Sequence, residues 1–156
     1  MPGQKLRAFL DQNSIKYVSI MHSPAYTAQG IAHSAHIPGK ELAKSVIVKI
    51  NGKLAMAVVP ASHKLSLESL RQAVSTKNVE LCREEEFKEV FPDCELGAMP
   101  PFGNLYGLEV YASRELAKDK EIAFNAGSHS ELIRMDYTDF ERLTKPTVLD
   151  ITVLNS

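Results

Sequence analysis

The chain has 156 residues, of which 44% are hydrophobic and 24% charged, and its formal net charge is −1. This length suits one compact domain spanning 1–156, and the composition excludes a disordered or fibrous chain. The missing basic excess excludes a protein that grips long nucleic acids, DNA included, mainly through phosphates, and no apolar run approaches the roughly 18 residues a membrane span needs.

In chain order, residues 5–12 carry Leu6, Phe9 and Leu10 at helical spacing, and residues 17–21 follow as a short β-rich run. Residues 1–11 are polar and amphipathic with no apolar leader core, so a cytoplasmic location is expected. Thr27 is a good N-cap residue, and it predicts a helix over 27–35 that Pro38-Gly39 stops. Residues 45–50 and 54–59 are almost continuously apolar runs around Asn51-Gly52, the preferred pair for a type I′ turn. They predict a central hairpin covered on both faces.

Ser66 caps a predicted helix over 66–74, and a further helix is expected over 84–90, ended by Pro92. A turn-rich loop, Gly97-Ala98-Met99-Pro100-Pro101-Phe102-Gly103-Asn104, leads to strands at 108–112, 122–125, 132–135 and 148–153, with a short helix over 137–143. The pattern predicts an α+β fold, a mixed sheet with helices around it.

Three features carry chemistry. Between Gly97 and Asn104, two consecutive prolines stiffen the loop, so nearby N–H groups can point at a ligand carbonyl or phosphate; a rigid link between strands explains the same residues. Lys44 opens the apolar hairpin, where a cation either faces a pocket with a lowered pKa or snorkels to water, and Lys49 and Lys64 compete with it. Gly127-Ser128-His129 ends a predicted strand, where the imidazole either orients a water or substrate or is an exposed side chain on an ordinary turn.

Other chemistries are weakly supported. His33 and His36 stand three apart with no carboxylate or cysteine at ligand spacing, and Cys82 and Cys94 are isolated, so neither metal nor disulfide is expected. Nucleophile-elbow, phosphate-loop and dinucleotide fingerprints are all missing.

Four segments in order resemble one family. His22-Ser23-Pro24-Ala25-Tyr26-Thr27-Ala28 resembles its H-x-P-x-x-T stretch, Lys44-Ser45-Val46-Ile47-Val48 its lysine-led strand, Gly97-Ala98-Met99-Pro100-Pro101 its G-x-x-x-P loop, and Ala126-Gly127-Ser128-His129 its later glycine turn. The family is that of the YbaK/prolyl-tRNA synthetase-associated editing domains. The resemblance implies a partly barrel-like mixed sheet flanked by helices, and a metal-independent deacylase with no cofactor. Such an enzyme cleaves the ester between a mischarged small amino acid and the 3′-terminal ribose of tRNA, with tRNA-Pro the expected substrate.

By the same resemblance Lys44 contacts the terminal phosphate or ribose, while the backbone of Gly97, Ala98 and Met99 holds the scissile carbonyl. Substrate contacts are expected from Tyr26, Thr27, Val46, Pro100, Pro101, Phe102, Gly103, Gly127, Ser128 and His129, with Tyr26, Val46, Met99 and Phe102 as walls that measure the side chain. The partners implied are the tRNA acceptor end and a synthetase. A non-catalytic module that binds either one would carry the same residues.

Overall fold

The computed structural model of the chain describes residues 3–22 and 37–155. Helix α1 (Gln4–Gln12) buries Leu6 and Leu10, one turn apart, and is followed by strand β1 (Tyr17–Met21). Strands β2 (Leu42–Ile50) and β3 (Lys53–Pro60) form the expected hairpin, in which Asn51 and Gly52 both take positive φ, 52° and 80°. That is the type I′ requirement, and glycine meets it without steric cost. The helix expected over 27–35 lies outside the described residues.

Strand β4 (His63–Leu65) leads to α2 (Leu67–Val74), whose cap is the predicted Ser66 accepting from Ser69 N–H at 3.1 Å. Strand β5 (Val79–Leu81) precedes a single helical turn, α3 (Glu84–Phe87). The helix expected to reach residue 90 stops early, because Pro92 disfavours helical backbone at Phe91 and Val90 N–H has already turned back to Phe87 O, at 2.9 Å.

Beyond the loop come β6 (Glu109–Ser113), β7 (Glu121–Ser128), β8 (Glu131–Asp136) and α4 (Tyr137–Thr144). The strand expected over 148–153 is two strands, β9 (Thr147–Leu149) and β10 (Thr152–Leu154), which belong to different sheets. Between them Ile151 turns fully into the core and its carbonyl takes Ser66 N–H at 2.7 Å, so the ladder cannot continue through it.

The main sheet has eight strands in the order β1-β8-β7-β2-β3-β6-β9, with β5 added beside β2, and it curls into a half-barrel. A separate pair joins β4 to β10. The hairpin is central, as its unbroken apolar runs require. One face carries the largest core, where α1 and α4 pack through Leu6, Leu10, Tyr137 and Phe140. Two smaller clusters cover the other face, one around Leu42, Ala123 and Leu132 and one around Val48, Ala57, Leu70 and Ile151. No helix among the described residues is long and apolar enough to cross a membrane.

Asp119, in the turn before β7, shows a cost of this packing. One carboxyl oxygen is buried without a partner, and burial, then the nearby Glu41, pushes its pKa up to about 6. A raised acid pKa means the folded state holds a proton that the unfolded chain has lost, so stability falls as pH rises from about 4 through about 6 and then levels off. Asp119→Asn should therefore raise the melting point at pH 8 by an amount worth about 1 kcal/mol after solvent screening, and give no advantage at pH 4. Thermal melts of both proteins at the two pH values check this; an equal gain at both would remove the carboxylate as its cause.

Candidate functional site

The site begins with a split in the sheet. Along one edge of β2, β7 pairs only with Leu42 and Ala43, while β5 pairs only with Val48 to Ile50. The stretch between is left to the Gly97 loop. Ser45 Oγ donates to Met99 O at 3.0 Å, and on the opposite side Gly127 N–H of β7 donates to Ala98 O at 3.1 Å. The loop thus wedges between two strands that have parted, and a bulge between Asn125 and Ser128 bends β7 away at this point.

Further bonds clasp the wedge. Glu95 N–H donates to Gly127 O at 2.7 Å, and the Glu95 carboxylate accepts His129 N–H at 2.7 Å. His129 Nε2 lies 2.7 Å from Leu96 O, a contact that fixes the proton on Nε2, since a carbonyl can only accept. Gly97 has φ 84°, and a Cβ there would come within 3.4 Å of the His129 ring. His22 N–H donates to Ser130 O at 2.9 Å. The described parts of all four segments singled out in the sequence therefore converge here.

Lys44 lies on the other face of β2 from Ser45. Ala43 and Ile47 enter the large core, so alternation turns Lys44 and Val46 toward the face of Leu42 and Val48. The Lys44 ammonium is half-buried, and desolvation pulls its pKa below the ordinary lysine value. Among the described residues no carboxylate pairs with it. The competing lysines differ: Lys49 is ion-paired with Glu86 and lies 3.8 Å from Glu80, and Lys64 is exposed on β4.

The loop residues divide into two sets. Gly97 is exposed, and among the described residues the N–H groups of Gly97 and Met99 meet no acceptor. Ala98 N–H differs, because it closes a turn onto Glu95 O at 3.0 Å and is not available to a ligand. Pro100, Pro101, Phe102 and Gly103, expected as substrate contacts, are buried in the fold. Phe102 has no exposed surface and packs among Phe9, Phe124 and Phe140, so its ring anchors the loop in the core.

Met99 also lines a cavity of about 250 Å³ with Phe87, Phe91, Cys94 and Leu96. Ser128 Oγ accepts Ser130 N–H at 3.4 Å and shapes the turn. Tyr26 and Thr27, like His33 and His36, lie outside the described residues. Two polar residues went unnoticed in the sequence. Glu95 had a signal, a carboxylate two residues before the loop's first glycine, and Asn125 another, an amide in the otherwise apolar run Ile122-Ala123-Phe124-Asn125-Ala126. Among the described residues no three His, Cys, Asp or Glu side chains gather as a metal site would need.

Together these groups form a cation and a rigid set of backbone donors and acceptors beside a parted sheet, suited to holding an anionic or ester-bearing ligand. Residues 22–143 match the family model described as the aminoacyl-tRNA editing domain. The chain is 24% identical over 152 residues, 94% of its length and 90% of the relative's, to the multifunctional Ser/Thr-tRNA deacylase ProXp-y of Escherichia coli (strain K12). It is 35% identical over 75 residues to a proline--tRNA ligase of Staphylococcus saprophyticus, a match covering 48% of this chain and 12% of that protein. In fold it resembles a crystal structure described as a candidate trans-editing enzyme for prolyl tRNA synthetase, at TM-score 0.81 and 20% identity over 97% of this chain and 96% of the other.

Proposed function

The chain belongs to the aminoacyl-tRNA editing domain family, and from that premise we propose that it is a single-domain deacylase acting in trans on mischarged tRNA in the cytoplasm. The bond cleaved is the ester between a small amino acid and the 3′-terminal ribose. One observation carries the reading: the clasped Gly97 loop, wedged into the split between β2 and β7, sits against the strand that bears the half-buried Lys44.

In this reading Lys44 holds the terminal phosphate or the ribose end. The N–H groups of Gly97 and Met99 face the scissile carbonyl. A water adds to the carbonyl carbon, the carbonyl oxygen becomes an oxyanion held by those donors, and collapse breaks the ester and returns the proton to the departing ribose oxygen. One such donor is worth about 3–4 kcal/mol in hydrolases. The substrate's own free ribose hydroxyl serves as the proton relay in place of a protein base, and the ester's lability makes positioning sufficient.

Two similarities support tRNA-Pro as the carrier: the stretch shared with a proline--tRNA ligase and the fold shared with the trans-editing structure. The Ser/Thr-tRNA deacylase relative makes small hydroxylated amino acids the first to test. With a net charge of −1, contact confined to the acceptor end, or affinity lent by a synthetase, fits better than a broad phosphate grip.

The test is hydrolysis of tRNA-Pro charged with serine, threonine, alanine or cysteine, with and without EDTA. We expect release of at least one of the four at a rate unchanged by chelation. Binding of the acceptor end without hydrolysis would favour the non-catalytic module. Loss in EDTA with recovery on adding zinc would overturn metal independence.

A further inference from the structure

Asn125 is a polar residue in an apolar strand. Its neighbours Phe124 and Ala126 enter the large core, so its side chain lies on the opposite face, that of Ala123 and of its cross-strand partner Leu132. That is also the face of Lys44. The parallel pairs Leu42↔Ala123 and Ala43↔Phe124 are the last before the strands part, which puts Lys44 and Asn125 at the next position on each side of the split.

Asn125 Oδ1 is buried without a hydrogen-bond partner, and no donor among the described residues, Lys44 included, reaches it. A buried acceptor left unmade is costly, and this one stands where β2 and β7 part.

We propose that Asn125 is a substrate-reading residue whose Oδ1 accepts a hydrogen bond from a neutral hydroxyl of the aminoacylated tRNA end. The inference rests on the deacylase reading above. A cationic donor, the substrate's α-ammonium, is disfavoured because the Lys44 ammonium lies at the adjoining position on the same face. At the aminoacylated ribose itself the remaining donors are hydroxyls: that of a seryl or threonyl side chain, and the free hydroxyl of the terminal ribose. A site built around a hydroxyl rejects the analogue lacking it far more strongly than an apolar pocket does.

The experiment compares wild type with Asn125→Leu, a near-isosteric change that removes the orphaned acceptor and should leave the melting point equal or higher. Asn125→Ala carries the same comparison if the leucine variant does not fold. Substrates are tRNA-Pro bearing serine, threonine or alanine, each on a normal 3′ end and on one terminated with 2′-deoxyadenosine. The deoxy ends lack the relay hydroxyl and react more slowly in wild type, so variant and wild type are compared on each end separately, by single-turnover rates. We expect kcat/KM to fall roughly 10- to 100-fold wherever the hydroxyl being read is present and to change little where it is absent. A fall for serine and threonine but not alanine assigns the side-chain hydroxyl. A fall on all three normal ends but none on the deoxy ends assigns the ribose.

The same factor on all six substrates, or no change on any, overturns the proposal. Wild-type protein that hydrolyses none of the six overturns the deacylase reading itself, before any variant is compared.

Discussion

Replacing Lys44 with methionine is expected to lower kcat/KM for tRNA deacylation by roughly 30- to 5,000-fold, the equivalent of the 2–5 kcal/mol lost when one partner of a buried charged hydrogen bond is removed. The melting point should not fall. In the free protein the Lys44 ammonium is half-buried, no carboxylate among the described residues pairs with it, and its pKa is depressed by desolvation alone. A depressed lysine pKa means the charged form is disfavoured in the folded state. At neutral pH that charge therefore costs stability, and the cost fades as pH rises through the folded pKa toward the unfolded value. Methionine keeps the apolar stem and drops the charge, so it removes this cost.

Activity and stability thus move in opposite senses, a pattern an ordinary structural lysine would not give. Single-turnover deacylation and thermal melts on the same preparations read both. Wild-type activity in Lys44→Met would take the residue out of the mechanism, and a large drop in melting point would make any loss of activity uninformative about its role. Lys44→Arg adds a further check, since arginine keeps the charge but presents a broad planar fork instead of a compact ammonium. It should recover only part of the lost rate.

Where periodicity and turn chemistry act locally, the sequence was enough to read the fold. The hairpin β2–β3 followed from two apolar runs around Asn51-Gly52, and the start of α2 from Ser66, because those signals lie within a few residues of what they control. Strands β4 and β5 left no trace: each is three residues long and carries no hydrophobic run, so pairing with distant strands defines them. The break between β9 and β10 was hidden for a related reason. Ile151 reads as another strand residue until the carbonyl bond from Ser66 shows that it is a plug.

The candidate site was half legible in the same sense. Lys44, the Gly97 loop and the turn at Gly127 stand out by residue type, but their convergence depends on β7 leaving β2 after two residue pairs, and register of that kind lies in the packing of the whole sheet. Glu95 and Asn125 were missed because their roles exist only once the strands have parted. The depth of Phe102 was not legible either. An aromatic beside two prolines in a glycine-bracketed loop looks like a surface feature, and nothing local tells that three other phenylalanine rings wait beneath it.

Phe102 consequently supports the largest stability effect we expect. Its ring is fully buried, 6.3 Å from Phe9, 5.5 Å from Phe124 and 5.6 Å from Phe140 between centroids, with interplanar angles of 71°, 58° and 89°. These are the edge-on and tilted contacts that aromatic pairs prefer. Truncation to alanine leaves a cavity that three rigid rings cannot fill, and Phe→Ala at such sites costs about 3–5 kcal/mol. For a domain of this size that corresponds to a melting point lower by roughly 6–20 °C. Because Phe102 ties the Gly97 loop to strand β7 and to helices α1 and α4, the loop should loosen with it, and all aminoacyl-tRNA substrates should lose rate together. Met99→Ala differs, since Met99 lines a cavity beside the loop, and it should change the ratios among aminoacyl groups with a smaller loss of stability. Thermal melts combined with kcat/KM for seryl-, threonyl- and alanyl-tRNA separate the two. An unchanged melting point in Phe102→Ala, together with a shift in substrate ratios, would return that ring to the pocket wall and remove it from the core.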